Sequence, residues 1–276
     1  TWTVQTTPVS ENLLSVSFVD DNTGYVVGAS GRILKTTNGG TTWVLQPAGT
    51  SVSLGGVQAL GADTVLVVGT SGTILKTVIG GAAGSVTTAL RAVFPVTGST
   101  VLVAGDAGVI ARTTNAGATW SRPASGTTQN LNALSFGTAN TGWAVGGGGT
   151  ILKTVNGGVS WSAQTSGTTQ NLRAVRALDA NKAYAAGANG LVLKTEDGGA
   201  TWYAQETPVT QSLGKLFFFN AGNGYAAGAN GTLLNAVNEG DNWTGGGIKR
   251  SLKGVYFVDT QTGWIVGADG IVLKTT

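Results

Sequence analysis

The side chains able to do acid–base or metal chemistry are few in this sequence. There is no His and no Cys among 276 residues, and only thirteen Asp and Glu. The commonest general base, the serine-triad base and the usual zinc ligands are therefore missing. Glycoside cleavage needs two carboxylates roughly 5–10 Å apart. Asp106, Asp269 and Glu11 are the candidates by position, in Gly- and Asn-rich connections, with no second carboxylate clearly opposed to any of them. The expectation is that the chain is not an enzyme and carries neither metal nor cofactor.

Cationic side chains offer a different chemistry. Arg91, Arg173 and Lys253 each follow a Leu that opens an apolar run, while Lys215 lies one residue further into its own run. Arg176, Lys249 and Arg250 are close by in sequence. Brought together as a broken ring, Arg91, Arg173, Arg176, Lys215, Arg250 and Lys253 would attract anionic partners. Ordinary solvated charge is the competing reading, since surface Lys and Arg need no special reason. A second basic series, Lys35, Lys76, Arg112, Lys153, Lys194 and Lys274, recurs before a turn. One per repeat suggests a bracing hydrogen bond, its stem packed on apolar surface. No four basic residues are consecutive and net charge is +3, so no nucleic-acid footprint is expected.

What positions these groups is a repeat. Gly closing an apolar strand recurs at Gly28, Gly69, Gly105, Gly146, Gly187, Gly228 and Gly267, at spacings of 41, 36, 41, 41, 41 and 39 residues. The heptapeptide SGTTQNL occurs twice, at Ser125–Leu131 and Ser166–Leu172. Each unit holds four short strands: in the fourth, Leu131–Phe136, Gly142–Gly146, Thr150–Thr154 and Ser160–Gln164. Four strands in about 40 residues make a β-propeller blade. The fold class is therefore all-β, a seven-bladed propeller of four-stranded antiparallel blades forming one domain over residues 1–276. The chain begins TW and ends LKTT, the two ends of one recurring turn. Thr1–Gln5 should accordingly be the outermost strand of the last blade, closing the ring.

That turn reads TTNGGTTW at Thr36–Trp43, TTNAGATW at Thr113–Trp120, TVNGGVSW at Thr154–Trp161 and TEDGGATW at Thr195–Trp202. Its key position is Asn38, Asn115, Asn156, Asp197 and Asn238, with Ile79 in the degraded second unit; Trp43, Trp120, Trp161, Trp202 and Trp243 end it. The Asx side chain can accept turn amides, Gly supplies a left-handed residue, and Trp anchors the outer strand. A calcium site needs several converging oxygens, which one Asx per blade does not provide, so the turn reads as a brace.

The turn resembles the Asp-box, or BNR repeat. The longer stretches Leu13–Gln46 and Leu252–Thr276 are similar to repeats of the photosystem II assembly and stability factor family. That resemblance covers nearly the whole chain. It implies a lumenal, non-catalytic chaperone-like propeller that holds newly made polypeptides, with an arginine-rich patch. The sialidases that share the box are six-bladed and build their sites from long loops, whereas this chain has short loops throughout.

Composition fits a surface outside the cytoplasm: charged residues are 11 %, hydrophobic residues 41 %, and Gly, Thr, Ser and Asn abound. No apolar run spans a membrane. The absence of Met makes Thr1 a processed or cut start, with a removed export signal as the expectation and a longer parent chain as the alternative. The function expected is a protein-binding or assembly scaffold whose partner is another protein or copies of itself. A structural subunit of a filament, sheath or adhesin is the second reading. A carbohydrate-binding or carbohydrate-cleaving module is the third, through the aromatic series Tyr25, Trp143, Tyr184, Tyr225 and Trp264, for which packing between blades is the competing role.

Overall fold

The computed structural model describes residues 2–61, 64–76, 87–219, 223–237, 241–247, 250–259 and 261–275. Seven antiparallel sheets stand around a central axis. The inner strands are Leu13–Phe18, Leu54–Gly61, Leu90–Pro95, Leu131–Phe136, Leu172–Ala177, Leu213–Phe218 and Leu252–Phe257, which number blades 1 to 7. Each packs on the inner strands of its two neighbours, and Leu252–Phe257 packs on Leu13–Phe18, so the ring is closed. The closing device is the N-terminal strand Trp2–Gln5, which pairs with Val272–Thr275 in blade 7 (Thr3 opposite Lys274). Trp2 meets Phe257 edge-on at 5.7 Å.

In blade 4 the four strands are Leu131–Phe136, Gly142–Gly146, Ile151–Thr154 and Ser162–Gln164, so the last two start slightly later than the sequence suggests, the fourth because Ser160 and Trp161 remain in the turn. Five blades have four strands, while blades 2 and 3 show three among the described residues. Blade 3 has a physical reason. Pro123 stands where Gln46 and Gln164 pair with Ile33 and Ile151 in blades 1 and 4. Proline has no N–H to give, and the outer strand shrinks to one Arg112–Ser121 bridge.

The core lies between blades. Second strands such as Val101–Gly105 and Gly142–Gly146 are buried throughout because both their faces pack on neighbours. Phe18 of blade 1 stacks on Trp264 of blade 7 at 3.7 Å, and Phe218 of blade 6 on Tyr184 of blade 5 at 4.3 Å. The turn tryptophans close these stacks edge-on, as Trp43 does on Phe18 at 6.0 Å. Gly142 opens its strand beneath the Phe136 ring, where a Cβ would approach ring carbon to 2.6 Å.

The recurring turn is a brace in atomic detail. Thr154, 1 % exposed, accepts the Gly158 N–H at 2.9 Å and donates to Asn156 Oδ1 at 3.0 Å. Asn156 Oδ1 accepts the Ser160 N–H at 2.9 Å, and its Nδ2 donates to the Ser160 hydroxyl at 2.8 Å. Asn38 and Asn115 repeat these contacts. Asp197 differs in sign: it can only accept, and takes the Thr201 hydroxyl at 2.5 Å. That bond, with the Thr201 N–H, holds its carboxyl down at about 2. Asn238 and Ile79 lie outside the described residues. Trp43, Trp202 and Trp243 are buried, while Trp120 and Trp161 are half-buried.

In blades 2, 3 and 5 the repeated cation reaches across to the next blade. Lys76 Nζ donates to the Ala116 carbonyl at 2.8 Å, Arg112 Nε to the Gly157 carbonyl at 2.8 Å, and Lys194 reaches Asp241 at 2.8 Å. Lys35, Lys153 and Lys274 lie over the second-strand rings of Tyr25, Trp143 and Trp264 at about 5.5 Å. Among the described residues, no helix is long and apolar enough to cross a membrane.

Candidate functional site

Two faces of the ring differ. On one, the recurring turns bond to the loops between first and second strands: Gly39 N–H to Asn22 at 2.9 Å, Gly157 N–H to Asn140 at 2.9 Å, and Gly198 N–H to Asn181 at 2.8 Å. The opposite face carries the starts of the inner strands and opens into a funnel of about 540 Å³. A narrower channel continues below it, about 130 Å³, lined by inner-strand residues such as Ser15, Gly56, Ala133 and Ala174.

A β-bulge builds the funnel wall. Leu131 pairs with Gly146 and Ala133 with Val145, which leaves Asn132 as the extra residue. The same slip follows the opening Leu of all seven inner strands. The bulged residues are Leu14, Gly55, Arg91, Asn132, Arg173, Gly214 and Lys253, and all seven line the funnel. A bulge re-aims a side chain that would otherwise sit against the neighbouring blade. The repeat position that carries the cations is thereby the position turned toward the axis.

Arg173 and Lys253 are exposed and make no ion pair among the described residues. Arg91 is exposed but held by Asp106 in the turn beside it. Lys215 follows a bulged glycine and lines both funnel and channel; burial against the wall lowers its ammonium pKa. Arg250 lies at the approach to blade 7, 4.0 Å from Asp269, and is not part of the funnel wall. Lys249 lies outside the described residues.

Arg176 corrects the expected basic ring. It lies three residues beyond Arg173, about 10 Å along the strand, and turns into the slot toward blade 6, with its guanidinium 5.5 Å from the Phe217 ring centre. It stands near the far end of the inner strand Leu172–Ala177, away from the funnel. The bulge occurs only once per strand, so alternation resumes at Ala174 and sends Arg176 sideways between blades.

The three carboxylates considered for catalysis are each met by an arginine: Asp106 by Arg91, Asp269 by Arg250, and Glu11 by Arg32 at 2.5 Å. The Arg32 hydrogen bond lowers the Glu11 pKa. Among the described residues no three acidic side chains gather as a metal site. Tyr25, Trp143, Tyr184 and Trp264 are buried between blades, so these four form core rather than a platform for sugar rings, while Tyr225 is half-buried.

Three comparisons bear on this geometry. The family model described as photosynthesis system II assembly factor YCF48 matches residues 1–127, 119–207 and 167–254. A solved structure titled YCF48 bound to D1 peptide superposes with a TM-score of 0.83 at 18 % identity, covering 100 % of this chain and 96 % of that one. YCF48 from Cyanidioschyzon merolae gives 0.80 at 19 % identity, with 99 % and 98 % covered. The WD40 propeller of Doa1 gives 0.82 at 11 % identity, with 100 % and 97 % covered, which shows how widely the architecture is shared. No curated protein matches the chain in sequence.

Proposed function

The chain belongs to the YCF48 family of photosystem II assembly factors, and from that premise we propose that it is a non-catalytic, extracytoplasmic scaffold that binds an anionic segment of another protein at its funnel. The observation that carries this is the set of seven bulges, which turn one repeat position toward the axis and place Arg91, Arg173 and Lys253 there. Arg173, Lys253 and Lys215 have no protein counter-charge among the described residues, so the mouth presents a positive potential. A peptide-bound state of a similarly folded YCF48 supports a peptide as the ligand type. The close pairing of Asp106 with Arg91 and of Glu11 with Arg32 supports a role without catalysis. The family resemblance and the sparse surface charge support a location outside the cytoplasm.

Affinity capture from the producing cells tests this. The wild-type protein should recover a stoichiometric protein partner, and the double variant Arg173→Glu/Lys253→Glu should lose it. Equal recovery by both would refute the assignment. Filaments of the purified protein under the electron microscope would favour self-assembly instead.

A further inference from the structure

The far end of the inner strand Leu172–Ala177 holds a charge that the fold does not need. Arg176 has a guanidinium 5.5 Å from the Phe217 ring, and its Nε is buried without a hydrogen-bond partner. No ion pair or hydrogen bond reaches it from the described residues. Burial lowers its pKa, the expected penalty on a charge removed from water. The same strand position carries Ser17 in blade 1 and Ser135 in blade 4, and those hydroxyls accept the Ala59 and Ala177 backbone N–H groups of the next blade at 3.0 and 2.9 Å. A neutral solution is therefore available to this fold. An arginine with a buried, unbonded Nε and only a ring beside its guanidinium costs stability that an anion would restore.

Its surroundings define the anion further. Phe217 lies 5.2 Å from Phe219 and 6.1 Å from Tyr256, and Phe219 lies 6.0 Å from Tyr225. All four rings are half-buried, so they form an aromatic surface that reaches solvent. No second cation lies over these rings among the described residues. One guanidinium balances one negative charge, which favours a carboxylate over a phosphate dianion, and the rings favour an apolar group beside it.

We propose that Arg176, Phe217, Phe219, Tyr225 and Tyr256 form a second binding site, on the face opposite the funnel, for a carboxylate carried next to an aromatic or aliphatic group. Such a ligand is an aryl carboxylate or an acidic-aromatic peptide segment. The site does not depend on the funnel, and each can fail without the other.

The test follows the Arg176 Nε–Hε resonance by NMR while phenylacetate, acetate, inorganic phosphate or a capped Glu-Phe peptide is added. Phenylacetate should saturate the shift at a concentration at least about tenfold below that of acetate or phosphate. Arg176→Met should abolish ligand-induced shifts of the neighbouring aromatic resonances and raise the thermal midpoint, because a buried charge becomes an apolar side chain of similar length. Phe217→Leu keeps the charge and should weaken phenylacetate by about threefold or more, which covers the case of a poorly folded Arg176 variant. Capped peptide that saturates at or below the phenylacetate concentration assigns the ligand to a protein, and response to phenylacetate alone assigns it to a small molecule. Phosphate binding as tightly as phenylacetate, aromatic shifts that persist in Arg176→Met, or no response to any probe would each overturn the proposal.

Discussion

Replacing Thr154 by Val tests whether the recurring turn is a brace. The two side chains have nearly the same shape, so packing is kept while the hydroxyl is lost. In the structure that hydroxyl accepts the buried Gly158 N–H at 2.9 Å and donates to Asn156 Oδ1 at 3.0 Å. Thr154 is 1 % exposed, so no water replaces the lost acceptor. A buried N–H left unsatisfied costs about 1–3 kcal/mol. At roughly 2 °C per kcal/mol for a chain of this size, a loss of about 2 kcal/mol lowers the midpoint by about 4 °C. Ser160→Ala removes a hydroxyl from the same turn, but from its exposed edge, and should cost about 0.5 kcal/mol. Chemical denaturation of the wild type and both variants, with m-values compared, measures the two terms. Thr154→Val within about 0.5 kcal/mol of wild type, or no worse than Ser160→Ala, would refute the argument that this hydroxyl organises the turn.

Other consequences follow from the same contacts. Removing residues 1–5 should leave the Val272–Thr275 edge unpaired and expose Phe257; a lower midpoint with concentration-dependent association in light scattering is expected, and a stable monomer would contradict ring closure by this strand. Ala116 sits at φ 54 where three of the other turns have Gly39, Gly157 and Gly198. Ala116→Gly should raise stability by about 1 kcal/mol in urea unfolding, and a loss would show that the left-handed strain is not the governing term. Asp197, held at about 2 against an ordinary 3.8, contributes stability that is fully present above the unfolded value and lost as pH falls through the folded one. Asp197→Asn should therefore flatten the stability profile between about pH 4 and pH 2, measured by urea midpoints. An unchanged acid limb would place the acid sensitivity elsewhere.

The architecture was legible because it is repeated. Seven glycines counted the blades, and the split turn at the two chain ends located the closing strand. The brace was legible too, since Thr, Asx, Gly and Trp each have a defined use in a turn. Blade 3 departed from the pattern at Pro123, a residue visible in the sequence whose effect depends on its being opposite Ile110. The site was only half visible. The shared position of Arg91, Arg173 and Lys253 could be read from the repeat, but the bulge that turns it to the axis could not, because a bulge is a backbone slip with no fixed residue type. Arg176 was misplaced for a different reason: proximity in sequence to Arg173 conceals that the two lie near opposite ends of one inner strand. The Arg91–Asp106 pairing was hidden as well, since it forms across a turn between two strands.

On the function proposed above, the funnel is an anion-selective peptide site. Fluorescence anisotropy of labelled acidic and basic peptides, titrated with the wild type and with Arg173→Glu/Lys253→Glu at low and at physiological salt, tests it most directly. The acidic peptide should bind preferentially, added salt should weaken it, and the double reversal should cost at least about tenfold, or ~1.4 kcal/mol. Equal affinity for both peptides, or affinity unchanged by the reversal, would contradict it.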